Sequence, residues 1–247
     1  MKRAIAGAAL AAVLAVAAAT TQPLWVAPDA AQAQAWLHDA ADRRDAGAEA
    51  ALARWSARGN ADARHAWAAL LAHRADAGSR RRLAQVLDDG ADAGDPVAAT
   101  QLAELLAGAA SSASASRDDV RIARLLAQGS AGHVPAASRL LGLRALDASH
   151  GTPDVARAAS LLGQAAGQGD VPAMFLYANM LRAGQGVPRD EARALALYQA
   201  AGDADYAPAI QALAIAWRYG ELGLQADASQ SRLMDHEAAE ALAHATR

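Results

Sequence analysis

The sequence predicts an all-α chain folded as an α/α solenoid of about five helix pairs, a curved superhelix with a concave groove. Three observations lead there. Residues 169–203, GDVPAMFLYANMLRAGQGVPRDEARALALYQAAGD, read as two short amphipathic helices around a glycine turn. Helix-opening prolines Pro96, Pro135, Pro172 and Pro208 recur at separations of 39, 37 and 36 residues, and a fixed period in this range marks stacked repeats. A large residue followed by a small one also recurs, as Trp67-Ala68, Leu102-Ala103, Leu141-Gly142, Tyr177-Ala178 and Leu213-Ala214. The large side chain fills a core while the small one admits the neighbouring helix. These pairs stand eight and nine residues after Gly59, Gly94, Gly169 and Asp205; the copy counted from Gly132 needs one inserted residue.

Residues 1–35 read as a secretory signal peptide. Lys2 and Arg3 precede an Ala/Leu/Val run, and small residues at −3 and −1 mark cleavage after Ala33 or Ala35. A cut after Ala19 and an uncleaved N-terminal anchor are the alternatives. Export would place the chain in the periplasm or outside the cell, with no stable membrane insertion once the segment is removed. The chain has no cysteine, which excludes a lipoprotein anchor and any disulfide.

Residues 36–58 are expected to form an N-terminal cap, a degenerate first helix or helix pair, with Trp36, Leu52 and Trp55 as its packing residues. Repeats follow over 59–226, divided as 59–93, 94–131, 132–168, 169–204 and 205–226. In the copy at 169, Ala173, Tyr177, Ala178 and Leu181 form the stripe of helix A. Gly184 and Gly186 end it, Val187 plugs the turn, and Pro188 and Asp190 open helix B. Its stripe is Ala194, Leu197, Tyr198 and Ala201, with Gly202 as the stop. Residues 110–116, rich in Ser and Ala, are expected to be a loop inside their repeat. Residues 227–247 close the stack as a last helix with Leu233, Ala238 and Leu242 inward.

The net charge of −3 leaves no footprint for nucleic acid. The hydrophobic share is 53% but aromatics are only 4%, so the core is thin and alanine-rich. Arg80, Arg81 and Arg82 read as a solvated face. No G-x-S-x-G elbow, H-E-x-x-H, phosphate loop or calcium loop occurs, and neither catalysis nor a cofactor is expected. His236, Glu240 and His244 have the i, i+4, i+8 spacing of a metal-ligating face, but their charged terminal helix reads as solvated and no metal is assigned. His133 and His150 fall beside turns and read as surface residues.

The copy at 169–203 resembles the Sel1-like repeat family, relatives of the tetratricopeptide repeats, through Ala173, Tyr177-Ala178, Leu181, Gly184, Gly186-Val187, Asp190 and Ala200-Ala201. The resemblance covers roughly residues 36–247. It implies that helix A residues facing away from helix B line the concave groove. Carried over by register, that face includes His65, His73, Thr100, Glu104, Arg139, Phe175, Asn179, Arg182, Gln211, Arg218 and Tyr219. The implied activity is that of an exported, non-catalytic scaffold binding a protein partner, with cell-envelope or exopolysaccharide assembly as the narrower setting. A glycan or peptidoglycan-fragment binder and a penicillin-recognising hydrolase are the alternatives, the last without a nucleophile or metal motif to support it.

Overall fold

The structure, a computed structural model, describes residues 26–74, 76–109 and 115–245. Among these residues there are twelve α-helices and no strand. They are α1 (Ala30–Asp42), α2 (Ala46–Ala57), α3 (Ala61–His73), α4 (Ala77–Asp92), α5 (Pro96–Ala109), α6 (Ala115–Ala131), α7 (Pro135–Leu146), α8 (Val155–Gly167), α9 (Val171–Ala183), α10 (Glu191–Gly202), α11 (Ala207–Tyr219) and α12 (Ala228–Ala245). The chain divides into two compact units, Met1–Ala109 and Ala110–Arg247. In the first, each helix from α1 to α5 packs on the next, and α1 also packs on α3. In the second, each helix from α6 to α12 packs on its successor.

The expected insertion at Gly132 is absent, and the reason lies in the turn that opens each copy. Gly59, Gly94, His133, Gly169 and Asp205 all have positive φ, at 85°, 87°, 59°, 90° and 55°. The amide of the following residue bonds the carbonyl five back, as in Asn60 to Trp55, Val134 to Gly129 and Tyr206 to Ala201. This is a Schellman turn, which seals the carbonyls of one helix and hands the chain directly to the next N-cap. Counted from His133 rather than Gly132, Leu141-Gly142 falls eight and nine residues on, in register with the other copies. The same register places Ala63, Ala98, Ala137, Ala173 and Ala209 four residues after the turn, each fully buried. Gly142 is equally confined, because a Cβ there would lie 2.9 Å from Leu162 Cγ.

Helix starts follow from side-chain caps. Asp29, Asp45, Asn60, Asp76, Asp154, Asp170 and Asp190 each accept an amide proton from the first turn of the helix they precede. Val134 and Tyr206 make no such bond.

At the N-terminus, α1 begins at Ala30, ahead of the expected boundary at 36, and forms with α2 a helix pair. Asp29 accepts from the Gln32 amide at 2.8 Å, Asn60 donates to the Pro28 carbonyl at 3.1 Å, and Ala33 is buried. The cleavage positions after Ala33 and Ala35 both fall inside this helix. Residues 1–25 of the expected leader, and most of the expected loop at 110–116, lie outside the described residues. Of that loop, Ala115 and Ser116 already belong to α6.

The second helix of the copy at 169 ends at Gly202 as expected, with Asp203 as the C-cap and the reversal at Asp205. One further expectation is corrected. On α12, Leu233 and Leu242 are 50% and 48% exposed, whereas Ser231, Ala238 and Ala241 are buried. Small residues win the inward face because they let α12 lie close against α11, with Ala207 and Ile210 opposite them.

Candidate functional site

The residues expected to line a groove separate into stapling residues and free ones. His65, Arg139 and Phe175 occupy the sixth position after the turn of their copies, on one face of α3, α7 and α9. Each meets the residue that opens helix A of the following copy. His65 Nε2 lies 2.9 Å from Asp95 Oδ2, and Arg139 Nε donates to both Asp170 oxygens at 3.0 and 3.2 Å. The Phe175 ring packs edge-on to Tyr206, with centroids 5.7 Å apart, and against Tyr198 at 5.9 Å. Phe175 is thus a contact to the next repeat. Thr100 holds the same position in its copy but is 3% exposed, its hydroxyl donating to the Pro96 carbonyl at 2.7 Å, so it offers nothing to a groove.

Asp95 is the most heavily used of these groups. Its Oδ1 caps α5 by accepting from Val97 and Ala98, while Oδ2 receives Arg64 Nη1 at 2.8 Å as well as His65. Arg64 and Asp95 side chains are both almost fully buried. Burial alone would raise the Asp95 pKa, but the Ala98 amide, His65 and Arg64 outweigh it and hold the carboxyl below its ordinary value.

Farther along helix A, Asn179 accepts from the buried Tyr198 hydroxyl at 2.6 Å. Burial raises the phenol's pKa, which keeps it a neutral donor to Asn179. Arg182 lies 3.5 Å from Glu221 beside a cavity of about 450 Å³ whose other arginine, Arg189, is paired with Glu191. Arg218 donates to Ser231 Oγ at 3.2 Å and to Asp235 at 2.6 Å. Arg182 and Arg218, both expected on the groove, are therefore charge-balanced by the chain itself.

What stays open is a smaller set. In the first unit, His73 is exposed, and Glu104 borders a cavity of about 330 Å³ floored by Leu83 and Leu87 and walled by Ala68, Ala69 and Ala72. In the second unit, Gln211 and Tyr219 are exposed on α11, and Ile215 between them is 42% exposed although no motif marked it. Its signal in sequence is its place four residues from each, off the buried stripe. Tyr219 is 68% exposed. His236 Nδ1 lies 3.7 Å from Glu240 on an exposed helix face. Among the described residues no group of three or more acidic or histidine side chains could hold a metal ion, and no helix is long and apolar enough to cross a membrane.

Helix pairs joined by recurring Schellman turns and stapled from one copy to the next define an α/α repeat protein. No protein-family model and no curated protein matches the chain. Solved structures do. A Sel1 repeat protein from Oxalobacter formigenes superimposes with a TM-score of 0.75 at 18% identity, covering 90% of this chain and 91% of that one. A protective antigen of uropathogenic Escherichia coli displaying an SLR fold gives a TM-score of 0.54 at 19% identity, covering 86% of this chain and 51% of that one. The chain adopts the Sel1-like repeat fold.

Proposed function

We propose that the chain is an exported, non-catalytic scaffold that holds a protein partner on the solvent-facing side of α11. The observation that carries this reading is the stripe Gln211, Ile215 and Tyr219, which leaves two large apolar side chains in water beside Arg218. Tyrosine and arginine are the residue types that dominate interface hot spots. Arg218 is already held by Ser231 and Asp235, so its guanidinium loses little freedom on binding. Export rests on the leader-like sequence of Lys2, Arg3 and the Ala/Leu/Val run that follows them, and the cell envelope is the proposed setting.

The test is a crosslinking pull-down from an envelope fraction, comparing the unaltered chain with Ile215→Asp and Tyr219→Ala. Both positions are exposed, so the variants should keep their helical circular dichroism. A protein captured by the unaltered chain and lost by both folded variants supports the reading; capture that is indifferent to them sinks it. Tyr219 could equally stack on a sugar ring, and quenching of its neighbourhood by peptidoglycan fragments would turn the proposal to a glycan ligand.

A further inference from the structure

The loop between α11 and α12 repeats a turn used earlier in the chain, with two residues exchanged. Between α9 and α10, Gly184 and Gly186 have φ of 68° and 69°, the Gln185 amide bonds the Met180 carbonyl at 2.9 Å, and Val187 follows as a half-buried plug. Counted from Asp205 as those are from Gly169, Gly220 and Leu222 stand at the same places, with φ of 69° and 58°. The Glu221 amide bonds the Ala216 carbonyl at 3.0 Å, as Gln185 does Met180. Leucine thus occupies the position that glycine fills at 186, and Gly223 occupies that of Val187.

This exchange puts strain and burial on one side chain. In the left-handed region a Cβ crowds the following carbonyl, and a residue as bulky as leucine is seldom found there. Among the described residues Arg44, His133 and Asp205 are the other non-glycine residues with positive φ, and all three are exposed. Leu222 is 5% exposed and joins the core that holds Leu181, Ala194 and Tyr198. Burial of its side chain offsets the strain of its backbone. The neighbouring tie is weak, because Arg182 and Glu221 meet at 3.5 Å with both side chains exposed. A cavity of about 450 Å³ separates residues 220–223 from Arg189 and from Glu191 at the start of α10. At Gly186 the corresponding space is closed, since a Cβ there would lie 2.3 Å from the Val155 carbonyl oxygen at the start of α8.

We propose that residues 220–223 are a spring-loaded strap, a segment that releases Leu222 from the core and opens while α11 and α12 stay folded. Opening relieves the left-handed strain at Leu222, so it costs less than opening of the matching turn at 184–187, where glycine carries no such strain. It also breaks the bond from Glu221 to Ala216 that seals the last turn of α11. Tyr219 is the last residue of that helix and loosens with it. Closed, the strap holds Tyr219 in place for the partner proposed above. That consequence rests on the partner reading; the strap itself does not.

The test is amide hydrogen exchange on the full chain, read by NMR under conditions where the rate reports the opening equilibrium. The amides of Glu221 and Leu224, bonded to the Ala216 and Glu221 carbonyls, report on the strap, and that of Gln185 reports on the unstrained turn. Corrected for intrinsic rates, the two strap amides should exchange about tenfold faster than Gln185. Leu222→Gly combined with Gly223→Val reproduces the order of Gly186 and Val187 and should slow both strap amides about tenfold. Leu222→Ala keeps the strain but loses most of the burial, and should speed them about tenfold or more with helical circular dichroism unchanged. Strap amides as protected as Gln185 in the unaltered chain, or no slower in the double variant, overturn the proposal. No partner is present in this measurement, so a failed pull-down and a failed strap are told apart.

Discussion

Arg139 donates through Nε to both carboxylate oxygens of Asp170, at 3.0 and 3.2 Å, and so ties α7 to the residue that caps α9. His65 and Asp95 stand in the same relation between α3 and α5, and Phe175 and Tyr206 between α9 and α11. The staple is polar in two copies and aromatic in the third, so the contact is retained while its chemistry changes. Its partners sit about thirty residues apart, which makes it the nearest-neighbour coupling on which a repeat array depends.

Replacing Asp170 by alanine should cost about 2 kcal/mol, combining a lost N-cap with a lost charge-assisted pair. Arg139→Ala should cost less, and a double-mutant cycle in urea should give a coupling of about 1 kcal/mol. Strict additivity of the two would show that the pair is incidental.

Asp95→Asn should be costlier, about 3 kcal/mol, since it leaves Arg64 buried without its anion. The pH dependence has a definite sign. The Asp95 pKa is lower folded than unfolded, so its contribution is complete above the unfolded value near ~4 and is lost as pH falls through the folded one. The wild-type chain and Asp95→Asn should therefore differ most at neutral pH and converge in acid. Unfolding midpoints that keep a constant gap down to the acid limit would contradict this.

Gly186→Ala should be among the most damaging single substitutions. A Cβ at this position, where φ is 69°, would lie 2.3 Å from the Val155 carbonyl oxygen, and backbone cannot step aside as a side chain can. Left-handed strain and overpacking together imply a loss of about 3 kcal/mol or more, readable as a fall in Tm.

His133→Gly should stabilise. His133 adopts a left-handed conformation that glycine takes in three of the other copies, and the relief exceeds the added chain entropy by about 1 kcal/mol. A rise in Tm of about 2–4 °C is expected; a fall would mean that the imidazole makes a contact worth more than the strain.

If the chain is exported, N-terminal sequencing of the mature protein should place the cut ahead of Pro28, as cleavage after Ala19 would. A cut after Ala33 or Ala35 would remove the Asp29 cap, the Pro28 contact to Asn60 and the buried turn at Ala33. A mature chain that begins there and retains full stability would show that α1 contributes little.

The repeat architecture could be read from the chain because its signals are local. Small residues at fixed offsets, prolines at helix starts and acidic N-caps act within a few residues of themselves, and Tyr177, Leu181, Tyr198 and Ala194 are buried as their periodicity requires. The register of the copy at His133 was harder to read, because a non-glycine residue occupies the turn and glycine stands one place earlier. The face of α12 was misread in part for a related reason: hydrophobicity favoured Leu233 and Leu242 beside Ala238, where close helix approach buries Ala238 with Ser231 and Ala241.

By itself, then, the sequence determined the helices, their pairing into repeats and the buried alanine stripe, all of which follow from periodicity and turn chemistry along one strand of chain. Only the tertiary structure decided which off-stripe residues are free. His65, Arg139 and Phe175 share a helix face with exposed positions, and nothing within their own helices distinguishes them. Their partners Asp95, Asp170 and Tyr206 arrive from the next repeat, so the choice between staple and open surface is made by packing across about thirty residues of chain. Gln211, Ile215 and Tyr219 on α11 remain open to solvent and form the proposed partner-binding face.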